Sequence, residues 1–96
     1  MFILIVNLIF KTNESKNKFI NEFLILQEYC LNYEKDFLLQ YEYAVSDTNS
    51  NMIVIIEKYN SKENYLNIHR KSNKFLNFKK QIKNLDITIS GNSYIS

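Results

Sequence analysis

The stretch FLLQYEYAVSDTNSNMIVIIEKY, residues Phe37–Tyr59, decides the fold. Its opening alternates, with Phe37, Leu39, Tyr41, Tyr43 and Val45 on one face and Leu38, Gln40, Glu42 and Ala44 on the other, the period of a strand. Ser46–Asn51 is a run of turn-forming residues. Met52–Tyr59 is a second strand, rich in β-branched residues, so the pair is predicted to form a hairpin. Upstream, Lys11–Lys16 is polar and turn-like. Phe19, Phe23, Leu26 and Cys30 then recur at helical spacing, and Ile20, Leu24 and Leu31 widen the stripe. This predicts a helix over Glu14–Tyr33. Before it, Phe2–Phe10 reads as a buried strand. Downstream, Ser61 is a good N-cap for a helix carrying Tyr65, Ile68 and His69. Ser72 caps a further helical piece with Phe75, Phe78, Ile82 and Leu85 on one side, and Asp86–Ile95 alternates as a last strand. The order is β-α-β-β-α-β. It predicts one ferredoxin-like α+β domain over residues 1–96, a four-stranded antiparallel sheet with helices on one face.

Composition narrows the chemistry. The 96 residues include one Gly, no Pro, one Cys and one His. One Gly excludes the dinucleotide-binding and P-loop glycine motifs. One Cys excludes an internal disulfide, and one His with one Cys cannot furnish the His/Cys part of a common zinc tetrad. No metal and no cofactor are therefore expected. Fourteen Asn, 13 Ile and 11 Lys against one Ala and one Arg suggest an A/T-biased gene, so the missing prolines carry little structural meaning. The net charge of +2 supplies no strong steering field. The most basic stretch, Arg70–Lys83, contains Lys71, Lys74, Lys79 and Lys80 and reads first as a solvated helix face. Phe2–Phe10 has neither the basic flank nor the cleavage site of a signal peptide and is too short to span a bilayer. A soluble, cytoplasmic protein is expected, with no membrane partner.

The first strand has Phe2, Leu4, Val6, Leu8 and Phe10 on one side, and Ile3, Ile5 and Ile9 on the other, interrupted by Asn7. Met52–Ile56 is likewise apolar on both sides. Two helices cover one sheet face, and an uncovered apolar face is a large adhesive patch. A homodimer packed sheet to sheet is predicted.

Few side chains can carry chemistry. His69 is the natural general base near neutral pH, and Tyr65 shares its helical face at i,i+4 spacing. Asn7 either bonds to backbone or points into a pocket between sheet and helices. Cys30 reads as a small core residue. Tyr41, Tyr43 and Tyr59 are strand aromatics of the kind that usually pack. Glu57 lies between apolar neighbours and reads as one half of an ion pair or as an exposed residue. Ile3–Leu8 faintly matches an RNA-contact strand but lacks its aromatic, and the third strand lacks the basic-Gly-aromatic series, so no nucleic-acid partner is expected.

Taken together, Asn17-Lys18-Phe19, Ile55-Ile56-Glu57-Lys58-Tyr59, Ser61, His69 and Ser72-Asn73-Lys74-Phe75 resemble the antibiotic biosynthesis monooxygenase domains, which have a dimeric α+β barrel architecture. That family shows an apolar run, Glu-x-aromatic, a capped helix, a His, and then Ser/Thr-Pro-His-aromatic. Here Asn73 replaces the Pro, Lys74 replaces the second His, and one additional residue lies between Tyr59 and His69. The resemblance implies a homodimer, each subunit holding a pocket between its sheet and its helices. It further implies oxidation of a small phenolic or quinol-like substrate by O2 without metal or flavin. On that reading His69 is the base, Asn7 and Tyr59 join it in catalysis, and Tyr65, Tyr41, Phe75 and Cys30 contact the substrate. The replacement at Lys74 keeps open a non-catalytic small-molecule-binding or stress-response dimer. A haem-degrading variant fits less well, because Ile68 stands near the place of its helical Trp.

Overall fold

The computed structural model describes residues 1–96. Its elements are β1 (Phe2–Phe10), α1 (Asn13–Tyr33), β2 (Leu38–Val45), β3 (Met52–Tyr59), α2 (Lys62–Asn64), a π-helical turn (Tyr65–His69), α3 (Asn73–Ile82) and β4 (Ile87–Ile95). The sheet order is β2-β3-β1-β4, and every neighbouring pair is antiparallel. This is the β-α-β-β-α-β architecture that the Phe37–Tyr59 hairpin implied, with the two apolar strands, β1 and β3, at the centre. No helix is long and apolar enough to cross a membrane.

Helix α1 begins earlier than its apolar stripe. Thr12 stands in extended conformation and its side chain accepts a hydrogen bond from the Ser15 N–H at 3.1 Å. That cap draws Asn13–Lys16, read from sequence as a turn, into the first helical turn. Phe19, Phe23, Leu26 and Cys30 are buried as their spacing required. Leu24 and Leu31 are instead 42% and 52% exposed, because the buried arc is narrower than the apolar arc. Ser61 and Ser72 cap as expected, accepting from the N–H groups of Asn64 and Phe75.

The register sorts every strand residue to a face. Phe2, Leu8 and Phe10 of β1, with Ile53, Ile55, Glu57 and Tyr59 of β3, are buried beneath the helices. In β2 the pairing slips between Leu38 and Gln40, a bulge at Leu39. The strict alternation predicted from Phe37 therefore breaks: Leu38 is buried with Tyr41, while Leu39 is exposed. The core is unusually aromatic. Phe19, Phe23 and Phe78 meet with centroids 5.5–6.4 Å apart, in edge-on and stacked arrangements. Each such ring removed from water contributes about 1.5–3 kcal/mol.

Candidate functional site

Two neighbouring features lie between the sheet and the helices. The first is an enclosed polar cluster around His69. The π-helical turn ends in a wide hydrogen bond from the Arg70 N–H to the Tyr65 carbonyl at 3.0 Å, and it turns His69 fully inward. The imidazole is surrounded by the rings of Tyr41, Tyr59, Tyr65 and Phe75, with centroids 5.0–5.9 Å away. Its Nδ1 lies 2.7 Å from Glu34 Oε1 and 3.8 Å from Cys30 Sγ.

Glu34 is the residue that the sequence reading missed. It caps α1, donates its N–H to the Cys30 carbonyl at 2.9 Å, and accepts from the N–H groups of Phe37 and Leu38. Its backbone is thus fixed on both sides and its carboxylate is aimed at His69. The missed signal is spacing: Glu34 lies four residues after Cys30 and continues the buried stripe. His69 Nε2 and Glu34 Oε2 are buried without partners. Cys30, Glu34 and His69 bring three metal-ligating atoms within 4.8 Å of one another. The 2.7 Å approach of two of them, His69 Nδ1 and Glu34 Oε1, is a direct hydrogen bond. Burial pushes the Cys30 thiol well above its ordinary range, so it stays protonated.

The second feature is a cavity of about 290 Å³ between β1, β3 and α3. Leu4, Val6, Ile55, Phe23 and Phe78 make most of its wall, Tyr41, Tyr65 and Glu57 supply polar groups, and Arg70 and Lys79 stand at its solvent side. Glu57 is buried, which overturns the expectation of an ion pair or an exposed residue. Tyr59 Oη donates to Glu57 Oε1 at 2.6 Å. Desolvation raises the Glu57 pKa, opposed by the Tyr59 hydrogen bond and by the charges of His69 and Arg70. Burial likewise raises the Tyr41, Tyr59 and Tyr65 hydroxyls, which are therefore neutral donors.

The predicted site residues divide accordingly. Tyr41, Tyr65 and Phe75 line the cavity. His69, Cys30 and Tyr59 are buried and do not border it. Asn7 belongs to neither group. It pairs with Val54 and Ser90, on the face opposite Leu8 and Val6, and borders a shallow depression with Val45, Met52 and Val54. The expectation that it enters the pocket is corrected by strand parity: Leu4, Val6 and Leu8 face the helices, so Asn7 faces away. Lys74 borders a surface groove with Glu28 and Tyr29 of α1 and leaves the cavity wall untouched.

No protein-family model matches the chain, and no curated protein matches it in sequence. Solved structures do. A Nitrosomonas europaea protein, provisionally described as an antibiotic biosynthesis monooxygenase, superposes with a TM-score of 0.85 at 15% identity, over 100% of this chain and 98% of its own. A Deinococcus radiodurans protein with the same provisional description gives 0.83 at 14% identity, over 100% and 92%. A conserved protein from Methanosarcina mazei gives 0.80 at 21% identity, over 98% and 91%. At these identities the likeness establishes the shared fold.

Proposed function

We propose that this chain is a monooxygenase of the antibiotic biosynthesis type, which oxidises a small phenolic or quinol-like molecule with O2 and no cofactor. The carrying observation is Glu57: a carboxyl group with a raised pKa, held by Tyr59, bordering an apolar cavity that Tyr41 and Tyr65 also line. The provisional descriptions of the structural neighbours support the same reading.

Glu57 replaces His69 as the base, because it borders the cavity and His69 does not. A base whose pKa is raised toward neutrality is better matched to a phenol than an ordinary carboxylate. The phenolic proton passes to Glu57. Tyr41 or Tyr65 donates to the phenolate oxygen, and Arg70 adds positive potential. The phenolate gives one electron to O2, and the resulting phenoxyl and superoxide radicals join by a C–O bond at a ring carbon. The peroxide recovers the proton from Glu57. Loss of the hydrogen on that carbon with cleavage of the O–O bond gives a quinone and water. One oxygen atom enters the product and the other leaves as water, so phenol plus O2 becomes quinone plus H2O. The role of Glu34 and His69 is positioning: their bond fixes the rings of Tyr41, Tyr59 and Tyr65 around the cavity.

Oxygen uptake with a panel of phenols and hydroquinones tests the proposal. Uptake above the uncatalysed rate, lost in Glu57→Gln, is expected. A ligand that binds the cavity without uptake would favour the non-catalytic small-molecule binder. Sheet-to-sheet dimerisation through the open face of the sheet is part of the same proposal.

A further inference from the structure

The cations of Arg70–Lys83 are all exposed, as a solvated helix face requires, but they border different surface features. Lys74 turns to α1, but Arg70 and Lys79 border the cavity. The Arg70 guanidinium sits over the rings of Tyr65 and Phe75 at 5.9 and 5.5 Å, and Lys79 Nζ lies 6.0 Å from the Phe75 centroid. Neither has a carboxylate within ion-pair distance, since the ion pairs of the structure are Lys11–Asp86 and Glu34–His69. The cavity continues outward into an open groove of about 600 Å³, which shares Lys79, Ile82 and Ile89 with it and adds Lys80 and Lys83. Four cations without carboxylate partners thus follow one outlet from an apolar cavity.

We infer that the substrate is an anionic amphiphile: an aromatic phenolic body in the cavity carrying a carboxylate or phosphate monoester that lies between Arg70 and Lys79, toward Lys80 and Lys83. The Arg70 guanidinium, beside Tyr65 and Phe75 and without a carboxylate partner, has five N–H donors, more than its contact with Tyr65 can occupy, and their fork fits a planar or tetrahedral oxyanion. The aliphatic stems of Lys79 and Lys83 beside Ile82 and Ile89 accept the apolar part of such a molecule, leaving the ammonium groups in water. This inference rests on the cavity being the binding site, but not on turnover.

Calorimetric titration of the full chain with two matched pairs tests it. One pair is 6-hydroxy-2-naphthoate and its neutral methyl ester; the other is 6-hydroxy-2-naphthyl phosphate and the neutral 6-methoxy-2-naphthol, so that every member keeps a free phenol. The anionic member of at least one pair should bind tenfold or more tighter at low salt. That ratio should shrink between 20 and 300 mM NaCl and fall toward one in Lys79→Gln/Lys83→Gln, a variant checked for unchanged circular dichroism. The pair showing the larger ratio identifies the anionic group. A ratio near one for both pairs, or a ratio unchanged in the double variant, overturns the inference while the cavity reading stands. Failure of all four ligands to bind overturns both. Tight anion binding without oxygen uptake upholds the inference and defeats the oxygenase.

Discussion

Glu57 carries two expectations at the level of a single side chain. Its folded-state pKa lies above the ordinary carboxylate value, chiefly through desolvation. Below the unfolded-state pKa both states hold the proton. As pH rises past that value, the unfolded chain releases its proton while the folded chain keeps it, so folding stability falls until the folded-state pKa is passed. The slope is about 1.4 kcal/mol per pH unit at its steepest. Glu57→Gln retains an acceptor for Tyr59 but no charge, and should flatten this decline; urea midpoints between pH 4 and 8 measure it. In the wild type, oxygen uptake should show an acid limb above the ordinary carboxylate range, and Glu57→Gln should lose about 10²–10⁴ of the rate, the usual contribution of a general base. His69 behaves differently. It is 0% exposed, packs against four aromatic rings and holds Glu34. His69→Ala leaves a cavity and an unpaired buried carboxylate, for an expected loss of about 3–5 kcal/mol in chemical unfolding.

Between residues and the whole molecule, the π-helical turn is where the chain would accommodate the additional residue that the resemblance implies between Tyr59 and His69. A π turn accommodates one more residue than an α turn, and here it spans Tyr65–His69. Deleting the exposed Asn67 should convert it to α-helical bonding while Ser72, Phe75 and His69 keep their places. The expected product is a folded protein that retains the His69–Glu34 bond, visible as a protected imidazole proton by NMR. Unfolding of the deletion variant would show that the π turn is required by the core. The hairpin, both serine caps and the central strands were legible because period, turn residues and capping residues act locally. The Leu39 bulge was not, since it depends on how β2 meets Tyr59 and Lys58 across the sheet. The resemblance implies a pocket role for Asn7, but parity with Leu8 and Val6 places it on the other face. Glu34 was overlooked because an acidic residue at a helix end resembles solvated charge. Its burial follows only when α1 and the π turn are brought together, a contact spanning 35 residues of sequence.

For the whole molecule, the unsettled surface is the open face of the sheet. Ile3, Ile5 and Ile9 of β1 lie beside Met52, Val54 and Ile56 of β3, with none of the six buried in the single chain. Gln40 and Glu42 of β2 flank this stripe on one side, and Thr88, Ser90 and Asn92 of β4 on the other. An apolar centre with a polar rim is the anatomy of an interface rather than of a solvated sheet. A second copy laid face to face would bury both stripes at once, each supplying the layer that the helices supply on the other side. Sedimentation at micromolar concentration should therefore give twice the chain mass, and the thermal midpoint should rise with protein concentration, as it does when association and folding are linked. Ile5→Lys places two like charges, one from each copy, in the middle of that face. The penalty for burying them is several kcal/mol, so a dissociation constant weakened by about 100-fold or more is expected. The variant should sediment as a monomer with a concentration-independent midpoint. Because Ile5 faces away from the cavity, ligand titration of the Ile5→Lys monomer also separates the two faces. Retained binding assigns the pocket to one chain, whereas lost binding makes the second copy necessary to keep the sheet in shape beneath it.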